Sequence, residues 1–233
     1  RRTGPFKRAV VAVWMLWEKL FHLMFRVRPI GSGEFMHYRV IRYSGPELRL
    51  QGGRRLRRGD RLMEMHFDNE KMYEIGMESK SPVHIAIRII REAEKVLPDV
   101  AREFATLPDH DGIWGIYGIS MINRGGESLG FETSSLPKGL FSVSTNWYLR
   151  LLLRIIHPEG NRKIRNHGEK LEPRVIVMPK ETLLLWGDAK SSAEARRLIK
   201  QRESVAAAAD RQEISVYEED DAASEEAAPG AVT

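Results

Sequence analysis

The chain of 233 residues contains no cysteine. This absence excludes disulfides, thiol nucleophiles, zinc fingers and iron–sulfur sites, so any metal would need histidine, aspartate or glutamate ligands. The sequence also lacks a Walker A pattern, a GxGxxG loop and a GxSxG elbow. These are the usual fingerprints of mononucleotide sites, dinucleotide sites and serine hydrolases. The sequence therefore predicts no cofactor and no metal site.

Long hydrophobic runs are absent as well. The longest apolar run near the start, Ala9 to Trp17, has nine residues, whereas a membrane-spanning helix needs about 20. Residues 8–28 nevertheless predict an amphipathic helix, because charged side chains and aromatic side chains recur on neighbouring faces. This pattern favours docking on an anionic membrane surface or on a partner domain. Packing of the helix on the chain's own core is the alternative.

Charge is distributed unevenly along the chain. Residues 1–60 contain 14 Lys and Arg against 4 Asp and Glu, whereas residues 203–233 contain one Arg against 9 acids. A basic N-terminal part favours anionic partners. Nucleic acid is nevertheless not expected as a partner, because the arginine cluster at residues 54–58 lacks the neighbouring aromatic side chains that single-strand readers use. We expect a cytoplasmic protein, or one held peripherally at the inner face of the membrane.

The pattern of helices and strands predicts the α+β class. We expect an antiparallel or mixed sheet of about five to six strands, packed by three to five helices. Segments 35–43, 47–51 and 61–68 predict a meander, and Pro98 is expected to separate one helix from another. The expected organisation is an amphipathic helix over 1–30, one α+β domain over 31–202 and a disordered acidic tail over 203–233. The chain begins with Arg1, and we expect that residues before it have been removed.

Glu64, His66 and Asp68 are the first candidate site. They alternate along one predicted strand, so their side chains would share one face at a spacing of about 7 Å. His66 is the natural proton-transfer group of such a set. The alternative is that these polar residues simply cover the solvent face of an antiparallel sheet.

The second candidate site follows the buried strand predicted over 113–122. Asn123 and Arg124 stand before two glycines, and an arginine beside a glycine turn can bind a phosphate or carboxylate. The alternative is an ordinary tight turn.

Several motifs together resemble the YkoP-like domain, a domain found alone or attached to bacterial polysaccharide deacetylases. The resemblance covers residues 13–188 and rests on the Trp-rich first helix and on the motifs Gly59-Asp60, Glu64-Met65-His66-Phe67-Asp68-Asn69, Gly118-Ile119-Ser120-Met121-Ile122-Asn123-Arg124-Gly125, Gly130-Phe131-Glu132 and 179–187. It implies a place in envelope or exopolysaccharide metabolism, beside polysaccharide deacetylases or glycosyltransferases. It also implies ligand contacts at Asn69, Asn123, Arg124 and Glu132, together with His66.

Two functions follow from these observations. The first is an accessory or ligand-binding domain of envelope-glycan metabolism, associated with the membrane surface. The second is an enzyme acting on a phosphorylated or acylated glycan intermediate, with His66 as general acid/base and Arg124 as anion clamp. The sequence leaves open whether the chain is an enzyme.

Overall fold

The computed structural model describes residues 13, 16, 20, 27–32, 35–79, 81–120, 125–136, 173–205 and 207. Most of the predicted first helix, the motif at 121–124 and nearly all of the predicted acidic tail lie outside this description.

Eight strands and four helices form in the described part of the chain. The strands are β1 (Arg28–Pro29), β2 (Met36–Arg42), β3 (Leu48–Arg49), β4 (Arg55–Leu56), β5 (Arg61–Phe67), β6 (Ile113–Ser120), β7 (Glu132–Ser135) and β8 (Arg174–Pro179). The helices are α1 (Asn69–Glu78), α2 (Pro82–Thr106), α3 (Lys180–Asp188) and α4 (192–205).

Six of the strands form one mixed sheet in the order β1-β2-β5-β6-β8-β7. Only β5 and β6 run parallel, and the other neighbours are antiparallel. The chain connects β5 to β6 through α1 and α2, as a parallel pair requires a long crossover. The predicted α+β class is confirmed.

The predicted meander was wrong in its pairing. Strand β2 pairs with β5 rather than with residues 47–51, and β3 and β4 form a separate two-stranded ribbon between them. The alternating pattern that predicts a strand is the same for either partner, so the sequence pattern could not choose between them.

The expected helix break at Pro98 was also wrong, because α2 runs through it without interruption. Leu97, Val100, Ala101 and Phe104 around the proline are almost fully buried. Their burial outweighs the cost of about 3 kcal/mol that an interior proline brings. Ser81 followed by Pro82 is a sequence typical of a helix start, and the Ser81 hydroxyl does cap α2 by accepting a hydrogen bond from the amide of His84.

The core lies on both faces of the sheet. On one face α2, α3 and α4 cover the larger cluster, to which Met63, Ile116 and Trp186 belong. On the other face the β3–β4 ribbon covers a smaller cluster, in which Leu48 and Leu56 pack near Tyr117. Polar side chains of β2 and β5 lie on this second face beside the smaller cluster.

Candidate functional site

A polar cluster forms on the sheet face opposite to α2, α3 and α4. Met63 and Met65 point to the helix side, as the alternation of a strand requires, and Glu64 and His66 point away from it. In the antiparallel register Arg39 lies opposite Glu64, and His37 lies opposite His66. Two neighbouring strands thus bring a cation, a carboxylate and two imidazoles together.

Glu64 is the centre of this cluster. Its Oε2 accepts hydrogen bonds from Arg39 Nε and from His66 Nε2, the latter at 3.1 Å. The side chains of Glu64, Arg39 and His66 are 15%, 24% and 27% exposed. Burial would raise the pKa of Glu64, but the hydrogen bonds from His66 and Arg39 outweigh it and lower the pKa. Glu64 is therefore ionised at neutral pH and orients the His66 ring.

Burial favours the neutral forms of two other groups in this region, His37 and Tyr117. Burial lowers the pKa of His37, and His66 lowers it further, while Asp68 opposes the shift. Tyr117 of β6 lies beside Glu64 of β5 in the parallel register. Burial raises the pKa of Tyr117, and the nearby Tyr43 and Glu64 raise it further. The cluster consequently holds one ion pair, Arg39 with Glu64, beside two groups, His37 and Tyr117, whose neutral forms burial favours.

The other predicted site residues have different surroundings. Asp68 lies beyond the end of β5 and caps α1, where its Oδ1 accepts from the amide of Lys71 at 2.8 Å. Asn69 is the first residue of that helix. Glu132 lies on β7 and binds Arg54 Nη2 and the Gln51 amide at 2.7 Å each, so it anchors the β3–β4 ribbon. Asn123 and Arg124 lie outside the described residues.

A cavity of about 60 Å³ lies at the carboxyl end of the parallel pair, between the sheet and α2. Ligands commonly bind at the carboxyl ends of parallel strands. Most of the lining is apolar and includes Met36, Met65, Phe67, Ile89, Ala93 and Ile116. Ser120 and Thr133 are polar residues of the lining, and His66 also borders the cavity, although its side chain points to the opposite face of the sheet. The cavity and the polar cluster thus lie on opposite faces of the sheet at the same end of β5.

Gly118 widens this cavity. It lies on the helix side of β6, two residues from Ile116, and has no side chain to project toward α2. A Cβ at this position would meet Ile176 Cγ1 at 3.5 Å, an ordinary contact. A larger side chain at Gly118 would therefore extend into the cavity rather than clash with the backbone.

Metal binding has no support within the described ranges. No group of three or more His, Asp or Glu side chains there is placed to hold a metal ion. The cluster instead offers a histidine oriented by a carboxylate, an arrangement that can donate or accept a hydrogen bond at a ligand.

Sequence reasoning missed Arg39 and His37. Both alternate on the predicted first strand, and only their pairing with β5 brings them to Glu64 and His66. A correct choice of strand partner would have found them, since residues directly opposite each other lie about 5 Å apart.

Comparison with known proteins identifies the family. The sequence profile of the YkoP domain matches residues 7–186, which include the cluster and the cavity. The chain belongs to the YkoP domain family. A protein of Bacillus subtilis (strain 168), named "Uncharacterized protein YkoP", is 25% identical over 128 residues, covering 54% of this chain and 70% of the relative. No solved structure matches the chain.

The YkoP match ends before α4 and the acidic segment that follows it.

Among the described residues, no helix has the length and apolar content needed to span a membrane. Three residues of the first helix are described, and Val13, Leu16 and Leu20 are 69%, 70% and 50% exposed.

Proposed function

We propose that this YkoP domain is an accessory, ligand-binding domain of bacterial envelope or exopolysaccharide metabolism. The cavity beside His66 is the observation that supports it most. Its apolar interior suits a small apolar group, and its polar groups suit the hydroxyl and amide groups of a sugar. The place beside polysaccharide deacetylases or glycosyltransferases comes from the resemblance described above.

The size of the cavity limits the size of the group that can bind in it. A cavity of about 150 Å³ holds one benzene molecule, and this one measures about 60 Å³. It suits a short acyl group, such as the acetyl group of an N-acetylated sugar, better than a long acyl chain. The sugar ring would then remain at the edge of the sheet, near His66.

We expect the full chain to bind tetra-N-acetylchitotetraose at least tenfold more tightly than the fully deacetylated tetrasaccharide, because one methyl in an apolar pocket changes affinity by roughly 10- to 200-fold. The G118V variant fills the cavity and is expected to lose that binding. Isothermal titration calorimetry measures both affinities. The G112V variant is the matched control, since a Cβ at Gly112 has no atom within 4 Å.

Equal affinity for the two tetrasaccharides, no binding of either, or full binding by G118V would each overturn the acetyl-sugar site. Thermal unfolding of G118V and G112V shows whether both variants remain folded.

The first helix is the proposed membrane contact. Val13, Leu16 and Leu20 are helical, and their spacing of three and four residues places them on one face. The surrounding residues 1–28 carry seven Lys and Arg against one Glu. An apolar stripe within a basic segment is typical of helices that lie on anionic bilayers.

We expect the double variant L16E/L20E to reduce the fraction of protein bound to anionic vesicles about tenfold or more, because the variant removes two exposed leucines that would be buried in the bilayer. Co-sedimentation with phosphatidylcholine vesicles, with and without phosphatidylglycerol, measures this fraction. Val205 is also exposed and apolar, so V205E is the control with unchanged binding. If L16E/L20E sediments like the unaltered chain, the helix does not dock through this stripe.

A further inference from the structure

The β3–β4 ribbon, called here the arginine hairpin (residues 47–58), presents a concentrated positive charge. Leu48 and Leu56 form one cross-strand pair and face the sheet, where both are buried. The next pair along the ribbon is Arg49 with Arg55, which therefore points away from the sheet. Burial of the leucine pair thus forces two arginines to lie directly opposite each other on the exposed side.

Within the part of the chain that the structure describes, these arginines have little compensating negative charge. Arg49, Arg55 and Arg57 lie 3.9, 3.5 and 3.5 Å from the carboxylate of Glu47. Three guanidinium groups thus share one carboxylate. Because like charges opposite each other destabilise a β-ribbon, a further anion bound at this surface would stabilise the hairpin.

The hairpin is held in position before any anion binds. The Glu132 carboxylate ties Arg54 and the Gln51 amide to β7, and the Trp114 indole donates to the Arg55 carbonyl at 3.1 Å. The surface is therefore preorganised, which reduces the cost of binding.

The C-terminal helix α4 leads the chain to this surface. Arg202, Glu203 and Ala207 line a cavity of about 110 Å³ together with Gly52 and Arg54 of the hairpin. Burial raises the pKa of Glu203, and Glu132 adds to the rise while Arg54 opposes it. The last described residue thus lies beside the hairpin.

The segment that follows has the complementary charge. Residues 208–233 contain eight Asp and Glu against one Arg. From Ala207 to Glu218, the first of four consecutive acids, the chain has 11 residues and can reach up to about 36 Å. A short tether gives such a segment a high effective concentration at its own hairpin.

We propose that the acidic segment, residues 210–226, binds the arginine hairpin of its own chain and screens it from other anions. Three observations favour this segment as the occupant. It carries the opposite charge, its tether is long enough to reach the hairpin, and α4 ends beside the hairpin. The proposal is independent of the sugar site, which lies at the carboxyl end of β5, whereas the hairpin precedes its amino end.

A zero-length carbodiimide cross-link tests the contact, using the full chain with Arg57→Lys to keep the charge and supply an amine. We expect tandem mass spectrometry to find an intramolecular link between position 57 and an acid of residues 210–226. The yield should fall at least fivefold in about 1 M NaCl, where the Debye length is about 3 Å. Substituting E218Q, E219Q, D220N and D221N together should reduce the yield by a similar factor.

Arg91→Lys is the matched control, because Arg91 is exposed on α2, the helix that packs on the opposite face of the sheet. Three results would overturn the proposal: links from position 57 to Glu47 alone, links only between two molecules, or an equal yield of tail links from position 91.

Discussion

Replacing Gly115 by alanine is expected to lower the free energy of unfolding by about 3 kcal/mol or more. Gly115 lies on β6 opposite Pro179 at the end of β8. The Cβ of alanine would lie 2.2 Å from the carbonyl oxygen of Met178 and 2.9 Å from the amide nitrogen of Lys180. Both are backbone atoms, so no side-chain rotation can relieve the contact. The strands would have to separate where α3 begins.

Urea unfolding followed by tryptophan fluorescence measures this loss, since Trp186 is buried in the core. Gly112→Ala is the control, because its Cβ has no atom within 4 Å. At such an open position alanine is neutral or slightly stabilising, through the reduced entropy of the unfolded chain. A Gly115→Ala protein with the midpoint of the unaltered chain would show that β6 and β8 are further apart than described.

Replacing Glu64 by glutamine is expected to cost about 2 kcal/mol at neutral pH, the value of a charge-assisted hydrogen bond. The variant keeps the size of the side chain but leaves Arg39 without its counter-charge at a partly buried position. His66 also loses the acceptor that orients it. Glu74→Gln is the control, because Glu74 pairs with Lys71 on the surface and such a pair contributes about 0.5 kcal/mol or less.

The loss at Glu64 should depend on pH. The folded state lowers the pKa of Glu64, so its stabilising effect is complete above the unfolded pKa of about 4.5. That effect disappears as the pH falls through the lower folded value. Urea unfolding of both proteins between about pH 3 and pH 7 should therefore show a difference that shrinks on acidification. A difference that is constant over this range would mean that the Glu64 carboxylate does not bind Arg39 and His66 as a charged group.

The local elements of this YkoP domain could be predicted from its sequence. The alternation of residues 61–68, the apolar run at 113–120 and the Ser81-Pro82 start of α2 are short-range patterns with short-range physical causes. They were sufficient for the α+β class and for the common face of Glu64 and His66. The sequence also showed the arginine cluster of residues 54–58, although not its position on a hairpin with Arg49 opposite Arg55.

The choice of strand partners was beyond such patterns, because an alternating strand satisfies its hydrogen bonds equally well against several neighbours. Pairing of β2 with β5 is what brings Arg39 to Glu64, and it turns a row of polar residues into an ion pair with an oriented histidine. Likewise, Glu132 lies 78 residues from Arg54 in sequence, and nothing local connects them. Composition and periodicity thus established the elements and their buried faces. Long-range packing, which depends on which faces meet, established the cluster, the cavity and the position of the arginine hairpin.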